Sequence, residues 1–377
     1  MNELQQELKR QIFRFCQEQI EPTVHSDDQN SLFRPEIFAG IANLGLTGIP
    51  ISENYGGQGL GYQDFIVALE ELAKSSVPYA ITLSVSTMVQ AIIQSYGTEI
   101  QKQTYLPALC TGKEIGAFAL SESFAGSDAA SLKTTAKQVD GGYLLNGSKM
   151  WITSGGIAKT YIVMARTGKE GASGISAFIV RDGTPGFEFG KKEDKMGWKI
   201  SPTRELLFKD CFIPKENLLG EEGMGFTIAM SALDRGRITI GAIAVGLSQK
   251  ALDVSLLYSL TREQFNQPIY NFQGLQFMIS EMSTEIESSR LLVEKAAFLF
   301  DQGTPNIKLA SMAKLKSTDT AMSVTTNAVQ ILGGVGYTTE YPLERYMRDA
   351  KVLQIVEGTN QIQKVIIARE LKRELMK

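Results

Sequence analysis

The order of two hydrophobic patterns constrains the fold of this chain more than any other feature. Apolar residues recur at helical spacing over residues 2–20, and helical patterns continue through "DFIVALEELAKSS" and "TMVQAIIQSYGTEIQKQTYLPAL". From about residue 116 the apolar runs are short and are separated by Gly, Asn, Asp and Pro, which is typical of strands and turns. Helical spacing returns at about residue 223 and extends over 225–259, 272–302, 306–332 and 341–377. Helices and strands segregated in this way predict an α+β fold rather than an alternating parallel sheet.

The same order divides the 377 residues into three structural units. We expect an N-terminal helical domain over 1–115, a middle β domain over 116–222 and a C-terminal helical domain over 223–377. In the first domain, the glycine-rich stretch "YGGQGLGY" at 55–62 is predicted to be a loop between helices.

Charge and cysteine content argue against several classes of protein. The net charge is −3, so neither nucleic acid nor an anionic membrane surface is an expected partner. We expect no membrane span, because no apolar stretch approaches roughly 18 residues, and the charged start lacks the pattern of a secretory signal. The three cysteines lie far apart and form no CxxC. No metal site or redox dithiol is therefore expected, and a reducing, cytoplasmic location is predicted.

The chain contains a single histidine, His25, in the polar stretch "EPTVHSDDQN". We interpret it as a solvated loop residue. A His-rich zinc site cannot be built from one histidine, and a Ser-His-Asp triad would have to use this one. If the chain is an enzyme that uses acid–base chemistry, its base is expected to be Glu, Asp, Lys or Tyr.

Glu357 is a carboxylate in an unusual position. It lies in "RDAKVLQIVEGTNQIQ" between two apolar helical patterns, with no cation beside it in sequence. Gly358 is expected to mark the end of the first helix and Thr359 to cap the second. The alternative to a functional role is that the acid caps or solvates this junction.

Four other stretches could contact a ligand, and each also has an ordinary structural interpretation. "FALSESFAGSDAASLKTTA" offers hydroxyls and close backbone approach, or is a polar loop. The tryptophan of "GSKMWITSGG" could stack on a planar ring, although the pattern alone favours a core tryptophan on a strand. Arg262 in "TREQFNQPI" has no acidic partner one helical turn away, so it either binds a phosphate or is solvated. "QILGGVGY" ends a helix with glycines, or lets a cofactor approach closely.

Signatures of NAD on a Rossmann unit and of P-loops are absent from the sequence. No GxGxxG lies between a strand and a helix, and no GxxxxGK[ST] is present. Taken together, however, the stretches resemble the acyl-CoA dehydrogenase family of flavoproteins in kind, order and separation. The similarity covers essentially the whole chain and is carried by "LSESFAGSD", "KMWITSGG", "DCFIPKENLLG", "LDRGR", "REQFNQPI", "QILGGVGY", "YMRDAK" and "EGTNQIQ".

The resemblance implies a fold and a reaction. The fold has an N-terminal helical domain, a middle β-barrel-like domain and a C-terminal four-helix domain, with FAD between the last two in a homotetramer. The reaction oxidises an acyl-CoA to the trans-2-enoyl-CoA. A carboxylate removes the α-proton, and flavin N5 takes the β-hydrogen as hydride.

The resemblance also implies site residues by position. Glu357 is implied as the catalytic base, and apolar Leu353, Ile355 and Val356 would raise its pKa by desolvation. Its backbone N–H is implied to polarise the thioester oxygen. FAD contacts are implied for Phe118, Leu120, Ser121, Ser127, Trp151, Thr153, Arg262, Gln264, Phe265, Gln273, Gln330, Gly334, Thr359 and Gln361. Those of Arg262, Gln264 and Phe265 reach the cofactor of a neighbouring subunit. Contacts with the acyl-CoA are implied for Ser127, Asp234, Arg237 and Gly358.

Three positions depart from the family pattern. Ser123 stands where proline is common, so the stretch "LSESFAGSD" at 120–128, here called the serine loop, is expected to be less rigid. Asn266 replaces a glycine, and asparagine tolerates a positive φ well enough for the turn to be kept. Gly236 occupies the position in "LDRGR" where some members carry the catalytic acid, which leaves Glu357 as the base.

We therefore expect a dehydrogenase of fatty acid β-oxidation that passes electrons to electron-transfer flavoprotein. The alternative within enzymes is an acyl-CoA oxidase that reduces oxygen; many oxidases carry a C-terminal extension, and this chain ends soon after its last helix. The alternative of another class is a redox-silent protein that binds acyl-CoA. The length of the acyl chain is not predicted, because it depends on which side chains of 80–95 and 230–250 point inward.

Overall fold

Six α-helices form the N-terminal part of the computed structural model, which describes residues 1–376. They are α1 (Glu3–Phe15), α2 (Val24–Asn30), α3 (Pro35–Asn43), α4 (Tyr62–Ser75), α5 (Val77–Tyr96) and α6 (Glu99–Cys110). Side-chain caps explain where some of them begin. Asn2 accepts a hydrogen bond from the Gln5 N–H at 2.8 Å, and Thr98 accepts one from the Gln101 N–H at 3.2 Å. His25 lies on α2 rather than in a loop, and it is exposed as expected.

Eight strands follow and form one sheet. They are β1 (Gly116–Ala119), β2 (Thr135–Val139), β3 (Gly142–Thr153), β4 (Thr160–Arg166), β5 (Ile175–Arg181), β6 (Phe187–Lys192), β7 (Thr203–Pro214) and β8 (Leu218–Leu219). Their order is β6-β7-β3-β2-β4-β5-β8, and β1 pairs in parallel with β4. The long β3–β7 pair is antiparallel and has a register shift between Lys149 and Ile152. This irregularity changes the direction of the side chains at the end of β3.

The C-terminal part is helical again. Its helices are α7 (Gly225–Thr261), α8 (Gln273–Asp301), α9 (Ile307–Leu332), α10 (Gly334–Tyr337), α11 (Leu343–Leu353) and α12 (Asn360–Leu375). A small hairpin of β9 (Glu263–Gln264) and β10 (Gln267–Pro268) connects α7 to α8. Helices α7, α8 and α9 pack on one another, and α11 and α12 pack on α9. The predicted order of helices, strands and helices is confirmed.

Two helices, α5 and α7, are long and apolar enough to cross a membrane by length and composition alone. The expectation that no stretch is long and apolar enough is therefore wrong. Within their most apolar segments, 89% of the α5 residues and 67% of the α7 residues are buried inside the protein. Helix α5 packs against β1 and α7, and α7 packs against α4, α8 and α9. Their apolar surface is thus covered by other elements of the fold.

Contacts between the three parts fix α11, the helix that leads to Glu357. The Trp198 backbone N–H donates to Asp349 Oδ1 at 2.6 Å, and its indole N–H donates to the Asp349 carbonyl at 3.1 Å. Arg348 reaches Asp28 of α2 at 2.7 Å. The "YMRDAK" segment is therefore anchored to both the middle and the N-terminal part.

Candidate active site

Glu357 lies in a short turn, 354–359, between α11 and α12. Glu357 and Gly358 have consecutive left-handed φ angles of +55° and +83°. For a residue with a side chain this conformation costs on the order of 1–3 kcal/mol, and it persists only where the surroundings hold it. Gln363 donates to the carbonyls of Glu357 at 3.1 Å and Gly358 at 2.8 Å. Lys314 of α9 also donates to the Gly358 carbonyl, at 3.0 Å.

The expected ends of the two helices are half right. Thr359 caps α12, because its hydroxyl accepts from the Ile362 N–H at 3.3 Å. Helix α11 ends at Leu353 with Gln354 as its C-cap, so Gly358 does not mark the helix end. The glycine serves the turn instead, since its left-handed φ follows directly on that of Glu357.

The carboxylate of Glu357 is turned inward. Its Oε2 is buried and has no hydrogen-bond partner within residues 1–376. It lies against Gly236 of α7, where a Cβ would come within 2.4 Å of Oε2 and 2.8 Å of the Met88 methyl carbon. Burial raises the pKa of Glu357 to about 7, against the opposing positive charges of Arg237 and Lys314. The direction and cause of this shift agree with the sequence analysis, although Ile355 is exposed.

A free backbone donor accompanies this carboxylate. In the part of the chain that the structure describes, no acceptor takes the Glu357 N–H. An unpaired N–H beside an inward carboxylate can bind a carbonyl oxygen while the carboxylate faces the neighbouring carbon. The turn therefore offers a proton acceptor and an oxyanion donor on one residue.

Asp234 and Arg237, the two predicted substrate residues of α7, form an ion pair. Arg237 is buried, and its Nε has no hydrogen-bond partner among residues 1–376. Burial lowers the pKa of Arg237 and raises that of Asp234. The Arg237 charge also acts on Glu357. The structure thus brings Arg237 near the Glu357 carboxylate, while a contact of Asp234 or Arg237 with substrate stays a prediction.

A second group of predicted residues lies on the sheet. Phe118 is on β1, Leu120 and Ser121 follow it, and the Ser121 carbonyl accepts from the Met150 N–H at 2.8 Å. Trp151 lies in the irregular end of β3 with a left-handed φ of +64°, and 57% of its surface is exposed. The pattern-based expectation of a core tryptophan is therefore wrong. An exposed indole on the strand that also carries Thr153 suits a planar ligand with hydrogen-bonding edges.

A buried ion pair under the serine loop was not anticipated from the sequence. Lys149 is fully buried and donates to Glu122 Oε1 at 2.6 Å and to the Leu120 carbonyl at 3.2 Å. Glu122 also accepts from the N–H groups of Lys133 and Thr134. Burial lowers the pKa of Lys149 to about 8. The only signal in the sequence was a lysine at an inward position of the strand "GSKMWIT".

A third group lies at one end of the C-terminal helices and is exposed. Phe265 and Asn266 form the hairpin turn with φ angles of +54° and +64°, so the expectation that asparagine keeps this turn is confirmed. Phe265 is 86% exposed and meets Phe272 edge-on. The other predicted FAD residues of this group are at the surface: Arg262, Gln264, Gln273, Gln330 and Gly334. Ser127 and Gln361 are also exposed, the former in the serine loop and the latter on α12.

The structure thus forms three clusters, each held by its own contacts. The turn that carries Glu357 meets Gly236 and Lys314, the serine loop meets β3, and the hairpin projects into solvent. No group of three or more His, Cys, Asp or Glu side chains within residues 1–376 could hold a metal ion. The roles of the individual FAD and substrate residues stay predictions.

Comparison with known proteins connects this geometry to one family. Models of three acyl-CoA dehydrogenase domains match the chain: the N-terminal domain over residues 2–113, the middle domain over 117–211 and the C-terminal domain over 223–372. The chain is 46% identical over 372 residues to acryloyl-CoA reductase (NADH) of Anaerotignum propionicum, covering 98% of this chain and 94% of that protein.

Two solved structures are similar over nearly the whole chain. Butyryl-CoA dehydrogenase from Megasphaera elsdenii is 45% identical, with a TM-score of 0.97 and 98% of each chain covered. A chain solved in work on the electron transferring flavoprotein of Acidaminococcus fermentans and flavin-based electron bifurcation is 48% identical, with the same TM-score and coverage. The three domain models, the sequence identity and the shared fold show that this chain belongs to the acyl-CoA dehydrogenase family.

Proposed function

We propose that this protein is an FAD-dependent acyl-CoA dehydrogenase that converts an acyl-CoA thioester to the trans-2-enoyl-CoA. The observation that carries the proposal is the inward carboxylate of Glu357, buried at Oε2 and without a protein partner in residues 1–376. Removal of a proton from a carbon next to a thioester needs a base whose pKa is raised toward that of the carbon acid. Burial raises the pKa of Glu357 in this direction, to about 7.

The residues of the turn divide the work of this reaction. The Glu357 carboxylate accepts the α-proton, while its backbone N–H donates to the thioester oxygen, on which negative charge develops. Such an oxyanion donor is worth a few kcal/mol, about 2.7–4 in a measured case. Arg237 balances the negative charge of the base before the proton arrives. When bound, FAD supplies the hydride acceptor, N5, for the β-hydrogen.

FAD binding on the sheet side is supported by the exposed Trp151, by the serine loop and by Thr153. Phe118, Leu120 and Ser121 would hold the ring with their backbone, and Trp151 would cover it. Arg262, Gln264, Phe265, Gln273, Gln330 and Gly334 would hold the pyrophosphate and adenosine of the cofactor. Thr359 and Gln361 would complete the pocket beside the base, and Ser127 and Gly358 would contact the acyl-CoA.

A homotetramer would bring the two sets of FAD residues together. Five large apolar side chains are at least 48% exposed at the hairpin end of the C-terminal helices: Leu257, Leu260, Phe265, Phe277 and Tyr337. Clustered apolar exposure of this kind marks an interaction surface. In the tetramer we expect Arg262 to reach the cofactor of a neighbour.

The acyl group is proposed to be short. Butyryl-CoA dehydrogenase and acryloyl-CoA reductase, two of the similar proteins, are both named for short acyl groups. The Met88 methyl group lies beside Gly236 and the Glu357 carboxylate, so it would take up space next to the bound acyl group. A panel of straight and branched acyl-CoAs with an artificial electron acceptor tests this, and butyryl-CoA should be among the best substrates.

Electron-transfer flavoprotein is the proposed electron partner. The similarity to a chain solved in work on such a flavoprotein supports this partner. Anaerobic mixing with butyryl-CoA should bleach the flavin, and the bleached enzyme should return its electrons to electron-transfer flavoprotein rather than rapidly to oxygen. Stoichiometric peroxide on mixing with air would favour the oxidase, and a protein that binds acyl-CoA but never acquires FAD would favour the redox-silent alternative.

The reverse reaction is a second candidate, because one similar protein is named a reductase that uses NADH. The same site can run backwards, with protonated Glu357 returning the α-proton. Consumption of NADH with acryloyl-CoA, in the presence of electron-transfer flavoprotein, distinguishes this direction from dehydrogenation.

The cellular context is proposed from composition and burial. All three cysteines are free and buried, which suits a reducing cytoplasm. The burial of α5 and α7 in the fold suits a protein without a membrane span. The domain bounds are proposed at 115/116 and 222/223, where the elements change from helix to strand and back. The enzyme is proposed to act in fatty acid β-oxidation.

A further inference from the structure

A lysine that the sequence analysis did not consider lies under the catalytic turn. Lys314 is fully buried in the middle of α9. Its ammonium donates to the Gly358 carbonyl at 3.0 Å and to Asn360 Oδ1 at 2.8 Å. Burying an ammonium group is costly unless it is paired and hydrogen-bonded. Both acceptors belong to the segment that carries Glu357.

The second acceptor is part of a small network. The Asn360 amide donates to Asp319 Oδ1 at 2.7 Å and to Thr318 Oγ1 at 2.9 Å, both on α9. Asp319 also accepts from the Gln354 amide at 2.6 Å, at the other end of the turn. The two ends of the turn are therefore tied to one face of α9, and Lys314 holds the carbonyl in its middle.

Charge links Lys314 to the base as well. From α5 the neighbour of the carboxylate is the apolar Met88, and from α7 it is Gly236, with Arg237 and its partner Asp234 nearby. From α9 come Lys314 and, through Asn360, Asp319. From α12, Arg369 acts on the Asp234–Arg237 pair. Lys314 and Arg237 are the two basic groups whose positive charges act on Glu357. Burial lowers the pKa of Lys314 to about 7, so its charge acts on Glu357 mainly at the acid end of the pH range.

We propose that Lys314 is a positioning residue for the base: its buried ammonium, bonded to the Gly358 carbonyl and to Asn360, fixes the Glu357–Gly358 turn from α9. The inference rests on the proposed function, since it assigns Glu357 as the proton acceptor. It adds a residue whose hydrogen bonds in the structure go to the segment that carries the base.

The test compares four proteins: wild type, Lys314→Met, Lys314→Arg and the control Lys316→Met. Methionine keeps the length of the side chain without charge or donors, and arginine keeps the charge. Lys316 is on the same helix and pairs with Glu285, away from the turn. Each protein is checked for FAD content and thermal unfolding, and flavin bleaching by butyryl-CoA is followed from pH 6 to 9. Glu357 protonation is also titrated directly by difference infrared spectroscopy against a Glu357→Gln reference.

Two effects are expected in Lys314→Met. The acid limb of the bleaching rate moves to higher pH by about one unit, the lower end of what a neighbouring opposite charge does to a carboxyl group. At pH 9, where Glu357 is ionised in all variants, the bleaching rate should still be about tenfold below wild type, because the turn that carries Glu357 is misplaced. Lys314→Arg should keep the wild-type acid limb, and Lys316→Met should match wild type. If Lys314→Met does not fold, Lys314→Gln is used in its place.

A bleaching rate within about twofold of wild type from pH 6 to 9, with an unmoved infrared titration, would overturn the proposal. The infrared measurement separates this outcome from failure of the proposed function. If no acyl-CoA bleaches the wild-type flavin, the dehydrogenase assignment fails, but the effect of Lys314 on Glu357 is still read from the titration.

Discussion

Gly236 and Glu357 are so close that a side chain on the first would displace the second. A Cβ on Gly236 would lie 2.4 Å from Oε2 and 2.8 Å from Cδ of Glu357. Real Cβ atoms do not approach other heavy atoms this closely. Because Gly236 has no side chain, α7 leaves the space that the Glu357 carboxylate occupies.

Gly236→Ala should disable the base while leaving the fold intact. The atoms that must move are the carboxylate and the Met88 methyl group, both ends of flexible side chains, and alanine favours the helix by about 1 kcal/mol. A displacement of about 1 Å at a reacting group can cost about 10²-fold in rate. We expect a loss of this size in flavin bleaching by butyryl-CoA. Gly274→Ala on α8, where a Cβ meets nothing within 4 Å, is the matched control and should behave as wild type.

Lys149→Met should destabilise the serine loop. The substitution leaves Glu122 buried without its cation, and breaking a buried ion pair on one side costs about 3–5 kcal/mol. We expect a lower urea midpoint and weaker retention of FAD. The double variant Glu122→Gln/Lys149→Met removes both charges, so it should recover part of the lost stability. A double variant no more stable than Lys149→Met would mean that the pair does not act through its charges.

Arg262→Ala should weaken FAD retention more than it changes the chemistry of the flavin that stays bound. Charge-assisted hydrogen bonds to a phosphate are worth roughly 1.5–3 kcal/mol each, which corresponds to about tenfold or more in affinity. Dialysis followed by absorbance gives the retained fraction. Arg10→Ala removes an exposed arginine of α1 as the control. Retention equal to wild type in Arg262→Ala would remove this residue from the cofactor site.

Glu357→Gln should raise thermal stability, and more so at pH 8 than at pH 5. The pKa of Glu357 is raised from 4.5 to about 7 in the folded protein. The stability that its proton confers is fully present below the unfolded pKa and is lost as the pH rises through about 7. Glutamine stays neutral throughout, so its advantage grows over this window. Unfolding temperatures at pH 5 and pH 8 measure the difference, with Glu281→Gln on the surface as the control. If Glu357→Gln raised the unfolding temperature equally at pH 5 and pH 8, the result would contradict a buried Glu357 carboxyl with a raised pKa.

The parts of the fold that could be predicted from the sequence are those that depend on residues close together in the chain. Hydrophobic periodicity placed the helices, the strands and the return to helices. The single histidine directed attention to a carboxylate base, and the resemblance selected Glu357. The left-handed turn at Asn266 followed from the chemistry of one side chain.

The predictions that were wrong concern features that depend on contacts between distant segments. The pattern around Trp151 suggested a core position, because alternation does not reveal the irregular pairing of β3 with β7 that turns the indole outward. Gly358 looked like a helix end, but the chain needs it for a turn beyond α11. Lys314 and Gln363, which hold that turn, carry no local signal, since their partners are set by the packing of α9 and α12. The apolar lengths of α5 and α7 were underestimated because small and hydroxyl residues interrupt them.

Anaerobic flavin bleaching of Glu357→Gln by butyryl-CoA tests the central claim most directly. Glutamine is nearly isosteric and keeps the backbone N–H, so the variant should fold, bind FAD and bind acyl-CoA. It cannot accept the α-proton, so the bleaching rate should fall by at least the roughly 10²–10⁴-fold that a general base contributes. In the wild type, the rate should rise with pH through about 7 as the carboxylate forms. A Glu357→Gln variant that bleaches within about tenfold of wild type would contradict the account and leave Glu357 as a structural residue of the turn.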